Sequence, residues 1–437
     1  MRIDCTQRIA RLRIPRGEGQ IAKKVRPWRP TLWRPAGLAG GVGAEVLDRG
    51  EPTGAVTAKA GRADDLFGAA SYSEFGRAAI RARTADPSLA ILFDSTTSEP
   101  AEELIAVVRE AFSAQISPRY VSVFADGNPF AVAALGKRYG FSAGQIMTTT
   151  GATGAIALVM RALIGPGDEV LVEQPGFDIH PRMAAEFGAK VLTFRRPAPD
   201  FRLDLDDLAS QLTDRTRVVL LTNLHNPSGV YLTPAEIAAA AEAVASVGAV
   251  LVVDEVYADY AVDAGDPPAA TLGRNVITVS SLTKVFGLFA VKFGWLAAAP
   301  ELVARIRAAA PDGDMGVSKL SHAVAAHILE APQVFEQHWK RVLTATRAPV
   351  VAAAEKLTAA GLLEGEVPPY GCMYFPRVVG VTDTLALARR LFEDHGVLVA
   401  PGEYFGSPGH IRIGFGADAQ MIETGLARLA EGLAANR

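Results

Sequence analysis

The sequence predicts an α/β fold: a mostly parallel sheet sandwiched by helices, with a smaller α+β domain beside it. Three observations carry that expectation. From about residue 71 to 310, short Val/Ile/Leu-rich runs alternate with stretches long enough for helices, the pattern of strands joined by crossover helices. Those runs are apolar at nearly every position rather than at every second one, as strands covered on both faces require. Past about Pro311 long helical stretches take over, broken by a few late strand candidates.

Residues 102–112 and 129–139 repeat apolar positions at helical spacing. The strand candidates of the main sheet are 145–149, 169–173, 191–194, 217–222, 249–253 and 276–279, with a helix over about 155–163 after the first. Strand candidates 371–378, 397–400 and 410–415 and a helix over 418–434 close the chain. These elements suggest a large domain, 115–310, and a small one made of 71–114 together with 311–437.

The 437 residues are 49% apolar and 21% charged, with a formal charge of −3, an ordinary globular composition. That length allows two to three domains, each with a core that needs no disulfides or structural metal. The only two cysteines, Cys5 and Cys372, make neither a disulfide framework nor a metal-ligating set and fit a reducing cytosol. No apolar run reaches the roughly 18 residues of a membrane span, so no membrane partner is expected.

Residues 1–70 form an extension expected to lack regular structure. Its first 50 residues carry 11 Lys+Arg against 4 Asp+Glu, a balance of +7, which leaves −10 on the other 387. Pro and Gly punctuate 25–43. A tail with no site is the simplest account; a transit peptide, a nucleic-acid arm around Trp28 and Trp33, and an upstream start codon are the alternatives.

Four segments place polar groups at the carboxyl ends of predicted strands, where open α/β sheets bind ligands. Thr149-Thr150-Gly151-Ala152-Thr153-Gly154 is a small-residue turn into a helix, the form of a phosphate cradle. Asn223-Leu224-His225-Asn226-Pro227-Ser228-Gly229 follows one strand, and Asp254-Glu255-Val256-Tyr257 closes another. Ser280-Ser281-Leu282-Thr283-Lys284-Val285-Phe286-Gly287 sets a lysine among apolar residues, where burial favours a neutral, nucleophilic amine. Taken singly, the first three also read as a helix cap, a β-turn and a solvated loop.

Together, and with a late arginine in His410-Ile411-Arg412-Ile413-Gly414, these segments resemble the pyridoxal 5′-phosphate enzymes of fold type I, specifically the class I/II aminotransferases. The resemblance spans about residues 71–433. It implies a seven-stranded sheet in the large domain, a homodimer, and exchange of an amino group between an amino acid and a 2-oxo acid by a ping-pong, Schiff-base mechanism. By the same resemblance Lys284 would carry the cofactor and then serve as base and acid. Asp254 would pair with the pyridine nitrogen, and Asn226 and Tyr257 would bond the phenolic oxygen. Phe177, in Gln174-Pro175-Gly176-Phe177, would stack on the ring. Gly151, Ala152, Thr153 and Ser281 would hold the phosphate. Arg412, with Asn226, would clamp the substrate's α-carboxylate in a bidentate fork. Ser98-Glu99-Pro100 falls where relatives touch the same carboxylate.

Two positions depart from the family pattern. Eight residues after the lysine, where an arginine usually grips the phosphate, stands Lys292, a point charge without the planar fork; Ala290 replaces a glycine just before it. In residues 119–127, Tyr120 is out of register for the tyrosine that reaches the neighbouring subunit's phosphate, and Phe124 cannot donate. Nothing fixes the substrate, and elimination, cyclisation or oxidation on the same scaffold is the alternative chemistry. A DNA-binding regulator with an aminotransferase-like body is disfavoured, because Pro27, Pro30, Pro35 and Gly40-Gly41 break the helices that a head would need.

Overall fold

The computed structural model describes residues 62–113, 115–121, 127–310 and 318–436. The chain divides between Pro52 and Thr53 into two units, and all described residues belong to the second. The basic extension lies outside the described residues up to residue 61, as does Phe124. Its last part departs from expectation: residues 62–67 are helical. There Leu66 and Phe67 are buried, with Phe67 packing on Phe75 and Phe392.

Helix α1 (Tyr72–Ala85) leads into strand β1 (Ala90–Ile91) and the amphipathic α2 (Ala101–Phe112). Helix α3 (Pro129–Tyr139) is bounded as its sequence suggests. Asn128 caps it by accepting from the amides of Phe130 and Ala131, Pro129 opens it, and Gly140 ends it in the left-handed region at φ 78°.

The main sheet follows: β2 (Ile146–Thr149), α4 (Gly151–Leu163), β3 (Glu169–Gln174), α5 (Ile179–Glu186), β4 (Lys190–Arg195), α6 (Leu205–Gln211), β5 (Thr216–Thr222), α7 (Pro234–Ala245), β6 (Val250–Asp254), β7 (Val276–Ser281) and β8 (Gly294–Ala297). Its order is β2-β8-β7-β6-β5-β3-β4; β8 runs antiparallel to both neighbours and the remaining pairs are parallel. Alternate residues of the strands enter two separate cores. Val170, Val218, Val252 and Ile277 pack with α4 and α5 on one face, and Leu171, Val219, Val253 and Val276 with α7 on the other. That two-sided burial is why the strands read as continuous apolar runs.

Helices α8 (Pro300–Ala309), α9 (Lys319–Glu330) and the long α10 (Gln333–Ala359) come next. The late strand candidates resolve into short pieces: β9 (Leu363–Glu364), β10 (Met373–Tyr374), β11 (Arg377–Val378), β12 (Val397–Leu398), β13 (Ala400–Pro401) and β14 (Ile411–Gly414). The order β10-β14-β13 puts Arg412 on the middle strand of a three-stranded sheet. Helices α11 (Thr384–His395) and α12 (Ala419–Ala435) cover this region. Among the described residues no helix is long and apolar enough to cross a membrane.

Candidate active site

The carboxyl ends of β5, β6 and β7 lie side by side. Thr222 pairs with Asp254, and Asp254 with Val279, so the loops carrying Asn226, Asp254 and Lys284 emerge next to one another. The cradle joins them through β8. Gly294 is the cross-strand partner of Thr149 on one side and of Ser281 on the other, which sets the Gly151 turn beside Ser281. A Cβ on Gly294 would lie 2.3 Å from the Gly151 carbonyl carbon and 2.7 Å from the Ala152 nitrogen, an approach only glycine allows. Helix α4 starts at Gly151, four residues before the predicted 155, so the amides of Gly151, Ala152 and Thr153 form its first turn. Thr150 at the N-cap supplies no side-chain bond to them.

Lys284 is half-buried, and its amine donates to Thr96 Oγ1 at 3.1 Å. Asp254 is buried; its Oδ1 accepts from the Val256 amide, and its Oδ2 lies 3.4 Å from His180 Nε2. Neither ring nitrogen of His180 has a hydrogen-bond partner among the described residues, and the ring stands edge-on to Phe177 at 5.5 Å. The Tyr257 hydroxyl bonds Ser95 Oγ at 2.8 Å, and burial pushes that phenol well above its ordinary range.

Arg412 is fully buried. Its Nη1 donates to Asn226 Oδ1 at 2.6 Å, and its Nη2 to the Phe93 carbonyl at 2.7 Å and to the Tyr72 hydroxyl. The guanidinium lies against the rings of both Tyr72 and Phe405, 4.5 and 4.8 Å from their centroids, while its Nε has no hydrogen-bond partner among the described residues. Lys292 sits at a left-handed φ of 53° with its amine 3.6 Å from the Phe289 ring centre. Desolvation, and then the charge of Lys284, hold it below the usual lysine range. Ser98 meets His338, whose Nε2 is 2.9 Å from the Ser98 carbonyl oxygen.

The structure therefore gathers Lys284, Asp254, Tyr257, Asn226, Ser281 and the Gly151 turn at neighbouring strand ends, and ties Arg412 to them through Asn226. Phe177 reaches the group through His180, and Lys292 through the field of Lys284. Thr153 is exposed, and so is Tyr120. Tyr72, Ser95, Thr96, His180 and Phe405 escape a motif-based reading. The Gly294 approach is legible only as the glycine that ends Lys292-Phe293-Gly294.

A buried acid, a half-buried amine, an uncapped helix start and a buried guanidinium with an unpartnered Nε fit a small aromatic phosphate ester together with a carboxylate. Fold and site together define a pyridoxal-phosphate enzyme of fold type I. The family model for aminotransferase class I and II matches residues 92–429, and the chain belongs to that family. It is a pyridoxal 5′-phosphate-dependent transferase. The capreomycidine synthase of Streptomyces vinaceus is 34% identical over 298 residues, 66% of this chain and 74% of that protein. A probable N-succinyldiaminopimelate aminotransferase of Mycobacterium tuberculosis is 33% identical over 278 residues, 60% of this chain and 68% of that one. The fold matches the structure of Thermus thermophilus aspartate aminotransferase with maleate at a TM-score of 0.72, with 21% identity, over 82% of this chain and 95% of that one.

Proposed function

We propose the following division of labour for amino-group exchange between an amino acid and a 2-oxo acid. Arg412 and Asn226 hold the substrate's α-carboxylate, presenting the Cα–H bond to Lys284. Lys284 Nζ takes the proton from Cα and returns one on the far side of the exchange. Asp254 keeps a proton on the cofactor's ring nitrogen; Tyr257 and Asn226 bond the ring oxygen; Phe177 covers a ring face. The first-turn amides of α4, with Ser281 and Lys292, take the phosphate. When bound, the cofactor supplies the carbon that carries the amino group and an electron-withdrawing ring that stabilises the carbanion.

The observation that carries this reading is the 2.6 Å bond from Arg412 to Asn226, which brings a carboxylate fork from the small sheet to the strand ends bearing Lys284 and Asp254. The test is an absorbance spectrum of the purified protein with pyridoxal phosphate, before and after a panel of amino acids, for wild type and Lys284→Ala. A lysine-dependent visible band that an amino acid bleaches and a 2-oxo acid restores is the expected result. No lysine-dependent band would sink the role of Lys284.

Cyclisation is a second reading, favoured by the 34% identity to a capreomycidine synthase. A cyclase would convert its substrate with no 2-oxo acid and leave the nitrogen on the product. The family resemblance and the exposed apolar face of α2 support a homodimer, and the two-cysteine composition supports a cytoplasmic setting. The large domain would run over 115–310, which contains all seven strands of the main sheet, and the small one over 71–114 with 311–437.

A further inference from the structure

The segment before Ser98 carries three hydroxyls in a row; two of them meet active-site side chains and the third meets Tyr260, which itself bonds the Lys284 backbone. Ser95 Oγ meets the Tyr257 hydroxyl at 2.8 Å, Thr96 Oγ1 accepts from Lys284 Nζ at 3.1 Å, and Thr97 Oγ1 meets the Tyr260 hydroxyl at 2.6 Å. Thr97 also donates its amide to the Lys284 carbonyl at 3.1 Å, and Tyr260 donates its hydroxyl to that carbonyl at 3.3 Å. Lys284 is thus gripped at both ends by one short strap: its backbone by Thr97, its amine by Thr96.

The strap has little freedom to move. Asp94 Oδ1 accepts from the Thr96 amide at 3.0 Å, fixing the local turn. On one side the Gly414 amide donates to Leu92 at 2.6 Å, and the Ser98 amide to Gly416 at 2.7 Å. A Cβ on Gly416 would lie 2.5 Å from the Thr96 carbonyl oxygen, and one on Gly287 would lie 2.8 Å from the Thr97 carbonyl oxygen. The strap is therefore wedged between the strand that bears Arg412 and the turn that follows Lys284.

We propose that Thr96 is a positioning residue for Lys284: its hydroxyl holds the amine, whenever that amine is not joined to the cofactor, at the distance from which it works as the proton carrier. This rests on the role given to Lys284 above. A rigid acceptor restricts a four-carbon side chain that otherwise explores many rotamers, so the proton carrier is already placed when the substrate arrives. Because the strap is wedged against β14, the same contact keeps Lys284 in register with the carboxylate held by Arg412.

The test compares Thr96→Val, which keeps the shape and removes the hydroxyl, with Thr96→Ser, which keeps the hydroxyl. With the holoenzyme and the best amino donor, T96V should lower kcat roughly ten- to hundredfold, the cost of a misplaced proton carrier, while KM changes less than about threefold. T96S should recover most of that loss. Protein stripped of cofactor should also recapture added pyridoxal phosphate more slowly as T96V than as wild type or T96S, a readout independent of turnover. Equal behaviour of T96V and T96S, or a loss confined to KM with unchanged capture, would overturn the proposal. Lys284→Ala run in parallel separates the two readings. If it abolishes the lysine-dependent band while T96V matches wild type, only the role of Thr96 fails; if the band survives, the role of Lys284 fails first.

Discussion

Asp254 and Glu255 are neighbours in the chain with opposite surroundings. Asp254 faces His180 beside the proposed cofactor site. Glu255 borders a separate cavity of about 630 Å³, also lined by Tyr139, Asp259 and Trp295. Its carboxylate accepts from Thr278 Oγ1 at 2.8 Å and the Ala269 amide at 3.1 Å, yet burial, helped by the charges of Asp259 and Asp254, pushes it up to about 7. A carboxyl whose folded value exceeds its unfolded one binds more protons in the folded state. Its contribution is therefore fully present below the unfolded value of 4.5 and is lost as pH rises toward about 7. That loss is about 3 kcal/mol at most. Glu255→Gln cannot ionise, so its urea midpoint should gain on wild type between pH 4.5 and 7 and hold a constant lead above that. Parallel pH profiles for the two proteins would show that Glu255 does not titrate in this window.

At the scale of elements, β8 decides the site and was the one main-sheet strand the sequence did not announce. Gly-Trp-Leu-Ala is four residues long, with a poor strand former at each end; it is a strand because β2 and β7 supply partners on both edges. The other four inner strands, β3, β5, β6 and β7, were legible because two-sided burial leaves Val/Ile/Leu runs, whereas the edge strands β2 and β4 showed only as short clusters of strand-forming residues among polar ones. Lys284, Asp254, Asn226 and Arg412 were legible because each lies in a short motif on a strand or in the loop that directly follows one. Tyr72 and Thr96 were not, because they meet Arg412 and Lys284 across 340 and 188 positions, and no local pattern encodes such a contact. The start of α4 was placed late because Gly151, Ala152 and Thr153 read as a turn; packing against β8 makes them helix. Gly294→Ala should therefore cost about 2 kcal/mol or more, since the added methyl meets backbone rather than a flexible side chain. It should also shrink the rise in melting temperature that saturating pyridoxal phosphate gives wild type. A variant as stable as wild type, with the same cofactor-induced shift, would remove the Gly151 turn from the phosphate site.

For the whole molecule, the informative feature is helix α2, which packs Leu104, Val107 and Phe112 part-buried against the core of its own chain and leaves other apolar residues outside. Helix α2 is amphipathic, yet none of its residues is buried, and Ile105 and Val108 are 48% and 37% exposed. A helix packed only on its own chain would turn Ile105 and Val108 inward as well. Further large apolar side chains are exposed at Ile116, Tyr120 and Leu320, and at Phe289, whose ring lies under the Lys292 amine. Exposed apolar surface of this kind marks an interface, and a second copy of the chain is the occupant that the family resemblance implies. Light scattering should then give twice the chain mass. Ile105→Glu with Val108→Glu should shift the protein toward single chains, because two buried charges oppose association more strongly than either lost contact. If the partner also completes the phosphate site through the Phe289 and Lys292 face, these remote substitutions should weaken pyridoxal phosphate binding in proportion to the monomer formed, and raising protein concentration should restore it. A wild-type chain that remains single at every concentration, yet binds cofactor and turns over, would show that the site is complete in one chain and that the face of α2 serves something else.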